Sequence, residues 1–387
     1  MDNNESSIKI QNTLTRVSCT FAFSLFTFFY LYYYQADLLT VMQHVFSKGQ
    51  THYNRFIGAV LITVVLLLLQ VGFVNIFRKV RLAWAFTFVP PALCLVLLTD
   101  VHVSPIDGML SFGNWVYIFP LALLAFVLLV WASSASGLSK TLGDLVAPPV
   151  RNLWANLCVV FLSILLVCLA GNADKTYHTR IYVEQCLMKG DIDKALDEIR
   201  KRGIEDENIT MLTAYALSQK KTLAENLFEY RLNGGARALM PYGCNVKFEL
   251  LPDTSFYAYL GNCYVQRMPT MKYLDYQSRH KRLNSRTIDY LLCGYLMDKK
   301  LDLFAREIVK YYRVNDSIAL PKHYREALLL YTHLRSNPRI IYTNNVMNAD
   351  FQDYQKLENS IADWRERKNA LYETYGNTYW YYYQFCR

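Results

Sequence analysis

The sequence has no Cys-x-x-Cys pair among its nine cysteines, which removes zinc ribbons and thioredoxin-type redox motifs. It has neither His-Glu-x-x-His nor Gly-x-Ser-x-Gly, so the metallopeptidase helix and the nucleophile elbow are absent. The stretch SGLSKTLGD (136–144) contains Lys-Thr but lacks the glycine spacing that cradles phosphate. Long basic runs are missing as well. The densest patches are Arg200–Arg202 and Arg279–Arg282, expected to be solvated helix faces, and no nucleic-acid partner is expected. No small-x-small cleavage site follows the first apolar run, and its leader is long and partly acidic. That run is therefore expected to be a membrane span and not a removed signal.

What is present is apolar and aromatic: 53% hydrophobic residues and 15% Phe, Trp and Tyr in 387 residues. The charge is unevenly placed. Residues 1–171 hold nine Lys/Arg and six Asp/Glu, whereas residues 172–387 hold 32 and 26. Hydrocarbon about 30 Å thick needs about 20 apolar residues in a helix. Five stretches meet that requirement, near 16–34, 57–77, 82–101, 114–133 and 152–171, with a kink expected at Pro90–Pro91. The N-terminal side of these spans carries Lys9, Arg16, Arg78, Lys79, Arg81, Lys140 and Arg151, and the opposite loops only Lys48 and Arg55. Positive loops stay cytoplasmic. The expected arrangement is a cytoplasmic N-terminus, a membrane domain over 1–171 and an external domain over 172–387, which in a bacterial cell is periplasmic. Tyr and Trp near 28–34 and 115–117 fall at the outer interface, as aromatic belts do.

Beyond Gly171 the apolar period is 3.6. Residues 180–203 read as two amphipathic helices split at Gly190–Asp191, with Asp191 an N-cap. Residues 208–232, 255–266 and 287–312 repeat all or part of that layout. Aligning Cys186, Tyr215, Tyr264 and Tyr295 gives steps of 29, 49 and 31, the long one holding the Gly/Pro-rich insertion 233–243. Here the residues resemble the tetratricopeptide repeat: Gly190 and Ala195 at one turn, Leu260-Gly261-x-x-Tyr264 in a first helix, Ala224 and Phe228 in a second. The repeat's Trp and terminal Pro are missing. The resemblance implies an all-α, peptide- or protein-binding solenoid and no chemistry; an irregular helical domain is the alternative. A second resemblance spans more of the chain. MQHVFSKGQTHYNRFIGAVL (42–61) with the closing YGNTYWYYYQF (375–385) is similar to an uncharacterised bacterial family of multi-pass inner-membrane proteins, which implies a location and no activity.

Seven of the last thirteen residues are aromatic. The stretch 350–376 reads as one polar-faced helix stopped by Gly376, and the aromatic run after it is expected to cap the last repeat by folding back on the final helices, the alternatives being the outer membrane interface or a partner. Cys19, Cys94, Cys158 and Cys168 lie in spans. Cys186, Cys244, Cys263, Cys293 and Cys386 follow, an odd number, so a full disulfide framework cannot close within one chain; buried free thiols are expected at Cys186, Cys263 and Cys293, with a single bridge, for instance to Cys244, as the alternative. His323 and Glu326 share a helix face that reads as solvated. One constellation could carry chemistry. Asp37, His44, His52, Asp100, His102, Asp107 and His178 all fall at the outer membrane face, and carboxylates with imidazoles bind metals or move protons. Two functions follow: an interaction scaffold, without cofactor, that joins a protein or peptide to the lipid bilayer, or a membrane enzyme or transport subunit using that cluster.

Overall fold

The structure, a computed structural model, describes residues 2–76, 84–103, 110–135, 149–242, 245–261, 268–314 and 320–386. Among the described residues it is all-helical apart from one two-residue antiparallel pair, His102–Val103 (β1) with Leu110–Ser111 (β2), and an isolated bridge between Tyr242 and Val246. Two compact units divide after Asp174.

The apolar unit holds α1 (Asp2–Phe29), a π-helical turn (Tyr30–Tyr34), α2 (Ala36–Ser47), α3 (Arg55–Ile76), α4 (Val89–Thr99), α5 (Trp115–Ala135) and α6 (Pro149–Ala170). Among the described residues, four helical stretches are long and apolar enough to cross a membrane: Thr13–Tyr34, Arg55–Ile76, Trp115–Ala132 and Leu153–Ala170. The stretch expected at 82–101 is a shorter apolar helix, Trp84–Thr99. Instead of kinking one long helix, Pro90 and Pro91 open α4 immediately after a 3-10 segment (Trp84–Phe88). Proline suits a first turn because its missing N–H is an orphan there in any case.

Both ends of this short helix are satisfied by α6 and the residues just beyond it. The Ala85 N–H, an orphan donor of the N-terminal turn, donates to Asn156 Oδ1 at 3.0 Å. At the other end the Thr99 carbonyl accepts from the Asn172 N–H at 3.0 Å. The segment therefore runs parallel to α6 along most of its length. α1 runs the same way, because Gln35 Nε2, just past its end, donates to the Asn172 carbonyl at 2.9 Å. α3 runs opposite, its Gln70 donating to Thr87 at 2.8 Å, and Trp115 at the start of α5 donates to Asp100. Away from water each such group needs a protein partner.

The C-terminal unit begins with α7 (Lys175–Lys189) and α8 (Ile192–Arg202), followed by α9 (Glu207–Gln219) and α10 (Leu223–Asn226). Next come α11 (Asp253–Tyr259), α12 (Thr270–Arg279), α13 (Ser285–Met297) and α14 (Leu301–Ile308). The last four helices are α15 (Lys322–Leu334), α16 (Asn345–Ser360), α17 (Trp364–Tyr375) and α18 (Tyr379–Phe385). Successive hairpins reverse at left-handed residues: Gly190 between α7 and α8, Lys221 between α9 and α10, Lys299 between α13 and α14. Asp191 stands at the N-cap of α8, but its carboxylate pairs with Lys194 and not with the helix amides. The insertion expected to break the pattern is a 3-10 turn (Gly235–Leu239) packed inward through Ala236, Ala238 and Leu239.

Two expectations change here. Residues 350–376 form parts of two helices, because Asp363 starts a new one by accepting from the Arg365 and Glu366 amides. Gly376 is right-handed; its backbone approaches Tyr372 so closely that a side chain would overlap the Tyr372 carbonyl. The aromatic tail is a buried plug. α18 lies in the single core of the unit, with Tyr379, Trp380, Tyr381 and Tyr382 at 5% exposure or less. It touches Phe228, which follows α10, as well as α15, α16 and α17. In an open solenoid each repeat touches only its neighbours. Here Lys322, at the start of α15, donates to Glu225 of α10 and closes the unit on itself.

Candidate functional site

Two carboxylates of the sequence-predicted cluster have local partners. Asp37 pairs with Arg55 at 2.9 Å, and Asp100 accepts from the Trp115 indole at 2.6 Å. His44, in the last turn of α2, sits over Gly49; burial first and neighbouring His52 second hold its pKa below the ordinary imidazole value. His178 belongs to the C-terminal unit, edge-on to Tyr177. The His102 side chain and Asp107 lie outside the described residues. Among the described residues no three His, Cys, Asp or Glu converge as metal ligands do.

The repeat positions are placed more simply. Ala195, Ala224, Leu260, Tyr215 and Tyr295 are buried, and Gly190 takes the left-handed turn. Gly261 is also left-handed (φ 78°) and ends α11, so Leu260-Gly261 forms a turn and not the middle of a helix. Tyr264 lies outside the described residues, as do Cys244, Cys263 and the 136–144 stretch. Cys186 and Cys293 are buried free thiols.

Three buried polar clusters escaped the sequence reading. Glu184, fully buried on α7, accepts backbone N–H groups from Glu249, Leu250 and Leu251 at 2.8–3.3 Å. Burial pushes its carboxyl up to about 7, against the opposing pull of the Leu250 and Glu249 amides and of Arg180. Asp289 accepts from the Tyr312 and Tyr324 hydroxyls at 2.6 and 3.0 Å, and burial raises its pKa. His323 and Glu326 are buried, contrary to the solvated face expected. His323 Nδ1 lies 2.9 Å from Glu326 Oε2, and the same oxygen accepts from the Tyr379 N–H. A signal for the last pair existed: His323, Ala327 and Leu330 recur at i, i+4 and i+7, an apolar face. With His323 at 0% exposure no substrate reaches this dyad, and its work is to hold α18.

One accessible feature of the C-terminal unit is a pocket of about 420 Å³ between the segment 228–233 and the helices α17 and α18. Its floor is aromatic: Phe228, Tyr381, Tyr382 and Phe385. Charges ring it. Arg231 stands 3.8 Å from Glu205 and over the Tyr372 ring, and Glu229 holds Lys322 at 2.9 Å. Lys368 is exposed at the rim. Cys386 lines the pocket, but burial raises its thiol pKa and keeps it neutral, a poor nucleophile. The arrangement offers apolar area, donors and acceptors. It pairs no nucleophile with a base.

Residues 265–386 match a family of unknown function, DUF6057. That match includes the closing aromatic stretch and the α17–α18 wall of the pocket; residues 42–61 lie outside it. No curated protein and no solved structure matches the chain.

Proposed function

We propose that the chain is a membrane-anchored interaction protein of the bacterial inner membrane, whose external helical unit holds a protein or peptide segment near the bilayer. The observation that carries this reading is the pocket beside α18: aromatic floor, charged rim and no catalytic pairing. Aromatic anchors seated in a pocket inside a polar rim characterise protein recognition sites. On this reading the C-terminal unit is a degenerate series of helical hairpins, closed by its own last helix, with the binding surface beside that closure.

Five spans, not four, are the preferred count. A 3-10 segment of five residues followed by eleven α-helical ones rises about 26 Å, close to the thickness of a thin bilayer at about 27 Å. The Trp84–Thr99 segment also starts level with Asn156 and ends level with Asn172, so it reaches the depth that α6 reaches. An odd count, with the positive loops inside, puts the N-terminus in the cytoplasm and the C-terminal unit in the periplasm.

A photoreactive amino acid at Asn233 or Asn369, in the full chain in native membranes, should form a covalent protein adduct. One at Lys356, exposed on α16, should not. Equal crosslinking at all three positions, or none at the pocket, overturns the reading.

A further inference from the structure

The turn between α12 and α13 carries a charge imbalance found nowhere else in the unit. Residues 272–286 hold five Lys/Arg and one acid, Asp275: a formal +4 of the chain's +9. Lys272, Tyr276 and Arg279 recur at i, i+4 and i+7 and share one face of α12, opposite the buried Tyr273, Leu274 and Gln277. The chain then reverses through His280 and left-handed Lys281 (φ 54°) to Arg282. All five cations are exposed.

Several cations elsewhere on the unit surface find carboxylates: Arg202 with Glu198, Lys220 with Asp193, Arg335 with Asp302. Among the described residues, Lys272, Arg279, Lys281 and Arg282 have no such partner. Arg286 lies 4.3 Å over the Tyr259 ring and donates to the Tyr259 carbonyl, so its charge also goes unpaired. Asp275 is engaged by the Tyr295 hydroxyl. Tyr276, 42% exposed, packs its ring against His280.

We propose that this basic face binds the anionic headgroups of a phospholipid bilayer. It is a surface of unneutralised positive charge with one exposed amphipathic ring, and Tyr favours the membrane–water interface. The polyanion within permanent reach is the bilayer itself: only residues 171–174 separate α6 from α7, and a short tether raises the effective concentration at a surface. Each Lys or Arg near an anionic surface gains about fivefold in partitioning. Nucleic acid is the competing polyanion, but the face offers a single exposed ring, where single strands are held by successive stacking platforms. The inference rests on the bilayer anchoring of the chain and not on the partner pocket.

The test uses the full chain in nanodiscs of phosphatidylcholine alone or with phosphatidylglycerol, and stable incorporation into the discs checks the anchoring separately. Lysine acylation is read by mass spectrometry at Lys272 and Lys281, with Lys356 as reference. Phosphatidylglycerol should slow acylation at Lys272 and Lys281 by about fivefold and leave Lys356 unchanged. Salt at about 1 M, where the Debye length is about 3 Å, should restore the rate. Arg279→Glu/Arg282→Glu, at sites with no structural partner, should abolish the protection. Equal acylation in both discs overturns the proposal, as does protection that survives charge reversal. Protection in phosphatidylcholine discs by an oligonucleotide or by inorganic phosphate, with none from phosphatidylglycerol, overturns it in favour of another anion.

Discussion

The backbone N–H of Tyr379 donates to the carboxylate of Glu326 at 2.7 Å, joining residues 53 positions apart. The acid sits at the N-terminus of α18, where the helix dipole favours negative charge, and also holds His323. The Trp380 indole donates to the Glu326 carbonyl, and the Tyr379 and Tyr382 hydroxyls donate to the carbonyls of Leu296 and Met297. One buried acid therefore fixes where the aromatic tail enters the core.

Glu326→Ala leaves the Tyr379 amide and His323 without their partner in a site 3% exposed. Breaking a buried pair from one side costs about 3–5 kcal/mol. Urea unfolding followed by tryptophan emission should show that loss. Deleting 378–387 removes five buried aromatic side chains, each worth about 1.5–3 kcal/mol, against a typical domain stability of about 5–15 kcal/mol. The truncated chain should lose its cooperative transition. A variant that melts like the parent refutes the plug.

Gly171→Ala should destabilise the apolar unit. A Cβ there would overlap the Tyr30 hydroxyl and stand 3.0 Å from Thr99 Oγ1, and overpacking costs about 1–3 kcal/mol. Tyr30→Phe removes the overlapping oxygen, so the double variant should recover part of the loss. Thermal melting of the purified chain in detergent measures the coupling; strictly additive effects count against this contact.

Glu184 gives a pH dependence with a definite sign. Its folded carboxyl is raised from 4.5 to about 7, so the fold favours the neutral form. Its contribution is fully present below about pH 4.5 and is lost as pH rises through about 7. In Glu184→Gln this site no longer titrates, and that part of the stability–pH profile should flatten. Urea midpoints of both chains at pH 5 and pH 7.5 decide it: equal slopes exclude Glu184 as the source.

The span count is open to direct measurement. A reporter active only in the periplasm, fused after Gly171, should be active, and fused within 138–144 it should be silent. Activity in the reverse pattern overturns the orientation, and fusions within 78–81 and 104–109 that read alike fit four spans, because only a crossing by Trp84–Thr99 separates them.

The helices were legible because periodicity is local: burial of Tyr215, Tyr295, Ala195 and Ala224 follows from an apolar face repeating every 3.6 residues. Four long apolar runs were legible from length alone. The partners of the His/Asp cluster were not legible, because a sequence places Asp37 and Asp100 at one membrane face without revealing that Arg55 and Trp115 engage them. Glu184 and Glu326 were under-read for the converse reason. A carboxylate looks solvated until amides 65 and 53 residues away turn toward it.

The sequence by itself determined a chain of helices, an apolar first half, a more polar second half and an aromatic tail that had to be covered. Each follows from composition and period, which need no knowledge of neighbours. Only the tertiary structure decided what covers the tail, which acids are buried, how both ends of the short Trp84–Thr99 helix are satisfied, and that α18 closes the unit. Those outcomes rest on hydrogen bonds between backbone and side chains far apart in the chain. Their geometry comes into existence only when the helices pack.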